Sequence, residues 1–220
     1  MLGVLAITRL LRFARNDDRQ GEVGRSMIEM LGVLAIIGVL SVGGIAGYSK
    51  AMEIYKLNRY REGMAELISN FLQVKEQLTY EKGGRTTNYP LILSTMNMLP
   101  AEFKLTGNTL KDEFGNGFMI YHDNRYTNEN HYGFSFQFKK NKKTSLVCQA
   151  LIETAKSFRN DIWRIFSCCN GYYWAWGNAY CSKNNKCISD LTVNDIKKLC
   201  YFDNDKDEDI VFGVQINFKT

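Results

Sequence analysis

The stretch Met30 to Tyr48, MLGVLAIIGVLSVGGIAGY, decides the architecture of this chain. Its 19 residues carry no charge and lie between Glu29 and Lys50. At about 1.5 Å of rise per residue, a helix of this length covers the roughly 30 Å hydrocarbon core of a bilayer. A core helix of a water-soluble domain is apolar along one stripe, with polar residues behind it. This run is apolar all round, which predicts a membrane-spanning helix over 30–48.

Reading onward, Tyr48, Met52, Tyr55, Met64, Leu67, Ile68, Phe71, Val74 and Leu78 recur mostly at three- and four-residue intervals, with Lys, Arg, Glu and Asn between them. That is one apolar face of a helix that leaves the membrane and packs on something. A single helix over 25–80 would be on the order of 80 Å long. Reading back, residues 1–24 carry Arg9, Arg12, Arg15 and Arg19 against Asp17, Asp18 and Glu22. Basic residues ahead of a span predict a cytoplasmic N-terminus. The stretch does not have the order of a secretory signal, in which charge precedes the apolar core and a small-residue cleavage site follows. The heptapeptide MLGVLAI occurs at 1–7 and again at 30–36; at seven residues the first copy is too short to span.

The segment Gly24 to Ala51, GRSMIEMLGVLAIIGVLSVGGIAGYSKA, resembles the processing site and N-terminal helix of type IV prepilins. The resemblance implies a leader at 1–24, cleavage after Gly24 by a prepilin peptidase and methylation of the new N-terminal residue, Arg25. Arg25 departs from the apolar residue usual there. Glu29 falls at the fifth mature position, where the family uses it in assembly. An ionisable group in a membrane helix costs a few kcal/mol and needs a partner, which the N-terminal amine of a neighbouring subunit would supply. Solvation at the headgroup level is the plainer account of Glu29. Gly43, Gly44 and Gly47 each lower helix propensity by about 1 kcal/mol relative to alanine, fitting either local unwinding in a filament or close helix packing.

From 81 the sequence changes character and predicts a globular head over 81–220. Phe118–Tyr121 and Tyr132–Lys140 read as strands, the second with Phe134, Phe136 and Phe138 alternating; Ile210, Phe212, Val214, Ile216 and Phe218 mark another. Ser145–Phe166 has helical spacing, Thr192–Cys200 reads as a short capped helix, and Pro90 and Pro100 bracket an irregular segment. Strands and helices in separate runs predict an α+β fold, with the long N-terminal helix packed on an antiparallel sheet. The six cysteines, Cys148, Cys168, Cys169, Cys181, Cys187 and Cys200, all lie late in the chain and mark a cysteine-rich region over 148–200. Their spacings contain no C-x2-C pair, and the only histidines, His122 and His131, lie far upstream. Disulfides outside the cytoplasm therefore fit better than zinc. The stretch LPAEFKLTGNTLKDEFGNGFMIY, with these late cysteines, looks like the larger type IVb pilins. By that similarity Cys148 pairs with Cys200, which leaves Cys168 and Cys169 for Cys181 and Cys187.

Tyr172, Tyr173, Trp174, Trp176 and Tyr180 form a dense aromatic patch, read either as packing beneath the disulfides or as a surface for a glycan or protein. The acidic run 203–209 places oxygens at alternate positions as calcium loops do. Glu208 and Val214, however, stand where glycine and a bidentate glutamate belong, so a solvated turn is the reading and no metal or other cofactor is expected. Hydrophobic content of 45% and a net charge of +5 describe an ordinary folded chain and set no nucleic-acid expectation. Nucleotide, hydrolase and C-x-x-C motifs do not occur, and the chain is not expected to be an enzyme. The resemblance implies a subunit of a type IV pilus or pilus-like filament. Such a subunit is stored in the bacterial inner membrane, handled by a pilus assembly machinery and polymerised with identical or related subunits outside the cell. The alternatives are a minor pseudopilin of a type II secretion system and a membrane-tethered carbohydrate- or protein-binding module.

Overall fold

The computed structural model describes residues 22–79, 84–123, 131–138, 142–168, 172–200 and 210–217. The chain divides into two units, Met1–Met52 and Glu53–Thr220. Helix α1, Glu22–Val74, begins in the first and ends in the second.

In the first unit nothing covers the apolar run. From Met27 to Tyr48 the large apolar side chains are 52% to 76% exposed, on every side of the helix. A β-carbon added at Gly32, Gly38, Gly43, Gly44 or Gly47 would meet no atom within 4 Å. A helix with such a surface is long and apolar enough to cross a membrane, and it is not the core helix of a soluble fold.

The second unit is α+β. Among the described residues eight strands make one antiparallel sheet: β1 Arg85–Thr86, β2 Lys104–Thr106, β3 Thr109–Lys111, β4 Gly117–Asp123, β5 His131–Phe138, β6 Ile162–Cys168, β7 Tyr172–Trp176 and β8 Ile210–Asn217. Their order is β2-β3-β4-β5-β8-β6-β7, with β1 on β4. The inner face carries Phe118 and Ile120 of β4, Phe134 and Phe136 of β5, Phe212 and Val214 of β8 and Ile165 of β6, all buried. The alternation of β5 and β8 follows from the period of two of a strand with one face in the core.

On that face lies the second half of α1. Leu57, Tyr60, Met64, Leu67, Ile68, Phe71 and Val74 are buried, at the three- and four-residue spacing of one helix stripe. Phe71 sits edge-on to Tyr132 and Phe134 at 4.9 and 5.4 Å between ring centres. The Tyr132 hydroxyl donates to the Lys75 carbonyl at 3.0 Å, and the Asn70 amide donates to the Met98 carbonyl at 2.9 Å. Two arginines of α1 pair with acids of the head: Arg59 with Glu102 and Arg61 with Glu153, both at 2.6 Å. The packed stripe begins later than its sequence periodicity implies. Tyr48 and Tyr55 are exposed, because the first residues of α1 that the head covers are Leu57 and Tyr60.

Three further elements differ from expectation. The segment between the prolines contains helix α2, Tyr89–Thr95, with Pro90 in its first turn, where a missing backbone N–H costs nothing. Helix α3 runs Lys142–Ser157 and stops there; residues 162–166, expected to continue it, belong to β6. The turn through Arg159 to Asp161 separates them, and Ile162, Trp163, Ile165 and Phe166 are β-branched or aromatic residues that suit a pleated surface better than a helix. Tyr172, Tyr173, Trp174 and Trp176 of the aromatic patch form strand β7, for which no strand is expected from the sequence. Helix α4, Val193–Cys200, stands where a capped helix is expected. Thr192 and Asp195 cap it reciprocally: the Thr192 amide donates to the Asp195 carboxylate at 2.9 Å, and the Asp195 amide donates to the Thr192 hydroxyl at 3.3 Å.

Candidate functional site

Gly24 and Arg25 lie in the first turns of α1, and Glu29 is exposed one residue before the uncharged run. Two features expected to act together, an acid and a fully apolar helix, are thus contiguous on one exposed helix.

Two disulfides join described cysteines, one buried and one half-buried. Cys148 of α3 is bonded to Cys200 of α4 with the sulfurs 2.05 Å apart, and neither side chain is accessible. This closes a 52-residue separation across the core. The pairing of Cys168 and Cys169 with Cys181 and Cys187 is overturned, because Cys181 is bonded to Cys187. A turn through Ser182 and Asn185 brings those two α-carbons to 5.4 Å, whereas Cys168 ends β6 and Cys169 lies outside the described residues. The acidic run 203–209 also lies outside them.

Strand alternation splits the aromatic patch. Tyr173 points toward the core side, packs against it and donates its hydroxyl to Asp195 Oδ1 at 2.8 Å. Burial, then the bonded Asp195 carboxylate, pushes the Tyr173 phenol up to about 12. Asp195 itself is held well below the usual carboxylate range by the Thr192 hydroxyl and amide, then by Lys186, whose Nζ lies 3.0 Å away. Trp174 and Trp176 lie on the other face, half-buried, opposite Phe166 and Arg164 of β6. Tyr172 pairs in register with Cys168, and Tyr180 is half-buried in the turn that follows β7.

What sequence reading missed is Arg164. Its guanidinium lies 3.9 Å from the centre of the Trp163 ring, 4.2 Å from that of Trp174 and 5.5 Å from that of Trp176. Its Nε donates to Gln215 Oε1, the side chain beside it on β8. Gln215 Nε2 in turn donates to the Tyr121 hydroxyl at 3.3 Å, and Arg85 lies 4.2 Å over the Tyr121 ring. A row of planar groups therefore crosses the outer face of the sheet from β7 to β4. Glycines make room for it. A β-carbon on Gly133 would fall 2.3 Å from the Tyr121 ring, and one on Gly213 would fall 2.1 Å from the Phe166 ring. His131 packs at the edge of this cluster, 5.4 Å from Trp163, while His122 lies on the inner face against Tyr132. Burial lowers the pKa of His122.

At the β7 end the row borders an open groove of about 430 Å³, lined by Arg164, Tyr173, Trp174, Trp176, Asn184, Asn185 and Lys186. Its far wall is fixed: the Trp176 amide donates to the Lys186 carbonyl at 2.8 Å, and the Cys181–Cys187 bond closes the turn that carries Asn184 and Asn185. Sequence proximity signalled the tryptophans. Arg164 and Gln215 carried no local signal, since only the sheet register brings them to the same place.

No protein-family model, curated protein or solved structure matches this chain.

Proposed function

We propose that this chain is a prepilin, the precursor of a structural subunit of a type IV pilus or related filament. The observation that carries this reading is the first half of α1, which is apolar and exposed on every side, with Gly24 and Glu29 in the prepilin register at its start. Such a surface is unstable in water. It can be covered by lipid, as in a stored subunit, or by the same helices of other subunits, as in a filament core, and a filament subunit needs both in turn. Cleavage after Gly24 would free an amine at Arg25, and Glu29 would meet the amine of a neighbour during assembly. The head, closed by disulfides that require an oxidising compartment, would form the outer surface. The partners of this reading are a prepilin peptidase, related subunits, the inner membrane and an assembly machinery.

The test is mass spectrometry of the unreduced, membrane-extracted protein after co-expression with a prepilin peptidase. The expected product begins at Arg25 and keeps both disulfides. An intact leader in the presence of an active peptidase sinks the filament reading and leaves a membrane-tethered binding module.

A further inference from the structure

The filament reading leaves one feature of the outer face unused, the groove between β7 and the turn closed by Cys181 and Cys187. One side of it is aromatic. Trp176 stands edge-on to Trp163 at 5.8 Å between ring centres, and Trp174 leans against Phe166 at 5.2 Å, so neighbouring rings hold both indoles while each stays half-buried. The other side is polar and fixed. Asn184 and Asn185 are exposed in a turn that the Cys181–Cys187 bond closes, and the Lys186 carbonyl ties that turn to the Trp176 amide at 2.8 Å. Both cations that line the groove are engaged. Lys186 Nζ lies 3.0 Å from Asp195 Oδ2, and the Arg164 guanidinium lies over the rings of Trp163 and Trp174 with its Nε bonded to Gln215 Oε1.

From this arrangement we infer that the groove binds a neutral saccharide, an uncharged pyranose ring of a glycan chain. Three observations select this class. Trp176 offers an indole already held in place, and such a ring packs on the C–H face of a sugar at low cost in conformational entropy. The exposed amides of Asn184 and Asn185 each carry donors and an acceptor, the complement of vicinal hydroxyls, which also donate and accept. The two cations already have partners, and among the described residues that line the groove none is acidic, so recognition falls to rings and amides rather than to charge. At about 430 Å³ the groove is in the range of small-ligand sites, and it is open enough for a longer chain to run past it. An extended peptide would instead pair along the edge of β7, and there the Trp176 amide is already bonded to Lys186. The inference does not rest on the filament reading, since a tethered module would carry the same groove.

The experiment presents the full chain, in micelles of a sugar-free detergent, to an array of neutral and acidic glycans, and then titrates the neutral glycan retained best by calorimetry. Saturable binding of a neutral glycan is expected. It should persist at high salt, where attraction between charges is screened. Affinity should fall about tenfold in Asn185→Ala, the loss of roughly one good hydrogen-bonded contact, and at least as far in Trp176→Leu. Asn185 is exposed and its substitution leaves the fold intact, so the test survives if Trp176→Leu misfolds. Retention of no neutral glycan, or of acidic glycans alone, overturns the inference. Binding lost at high salt reduces the site to a charge effect and overturns it too, and unchanged affinity in Asn185→Ala overturns the assignment to this groove.

Discussion

Phe71 shows how much one residue can carry. It is fully buried and touches Tyr89, Tyr132 and Phe134, so it joins α1 to α2 and the sheet at one point. Phe71→Ala is expected to destabilise the head by about 3–5 kcal/mol, through lost burial and the cavity left behind. Denaturant unfolding of the micelle-solubilised chain, followed by tryptophan fluorescence, measures it. Asp195 and Tyr173 give the fold a pH signature at both ends. Folded Asp195 holds its proton less tightly than the unfolded chain, so its stabilisation is present above the ordinary aspartate range near 3.9 and is lost as pH falls below it. Folded Tyr173 holds its proton more tightly, so its contribution is present below about pH 10 and is lost as pH rises toward about 12. In Tyr173→Phe the alkaline loss over that window should shrink while the acid limb stays, as thermal melts across pH would show.

Among the elements, the disulfide between α3 and α4 is the one whose removal should be felt globally. Cys148→Ala with Cys200→Ala opens a 52-residue loop and is expected to cost about 2–5 kcal/mol, read as a lower denaturation midpoint. The Cys181–Cys187 bond closes a separation of only 6, and its loss should move the midpoint far less. The same scale separates what was legible from what was not. β5 and β8 could be read because alternate phenylalanines, valines and isoleucines state which face is buried. α4 could be read because Thr192 and Asp195 form a capping box. The end of α3 could not, because Phe158, Ile162 and Phe166 keep a helical interval across a turn, and only the pairing of Ile165 with Val214 shows that the last two belong to a strand.

For the molecule as a whole, the decisive property is the exposed apolar half of α1. If lipid covers it, charge at its centre should expel it. Val39→Arg with Leu40→Arg adds about 2.5–3.5 kcal/mol per substitution on insertion scales. The chain should then move from the membrane pellet to the supernatant in alkaline carbonate extraction, and retention in the pellet would contradict a spanning role. Glu29→Val should leave that partition intact or strengthen it; under the filament reading it should still abolish assembly, which electron microscopy of sheared surface material would record.

By itself the sequence determined the helix long and apolar enough to cross a membrane, the amphipathic stripe and the identity of the core-facing strands. These are local properties, since a helix or strand states its buried face through the period of its own side chains. The tertiary structure alone decided that β8 enters between β5 and β6, that Cys181 bonds to Cys187, and that Arg164 of β6 lies against tryptophans of β6 and β7 and is held by Gln215 of β8. Periodicity names a face but not a neighbour. The entropy of closing a loop changes slowly with its length, so the order of strands is chosen by the packing of the finished core.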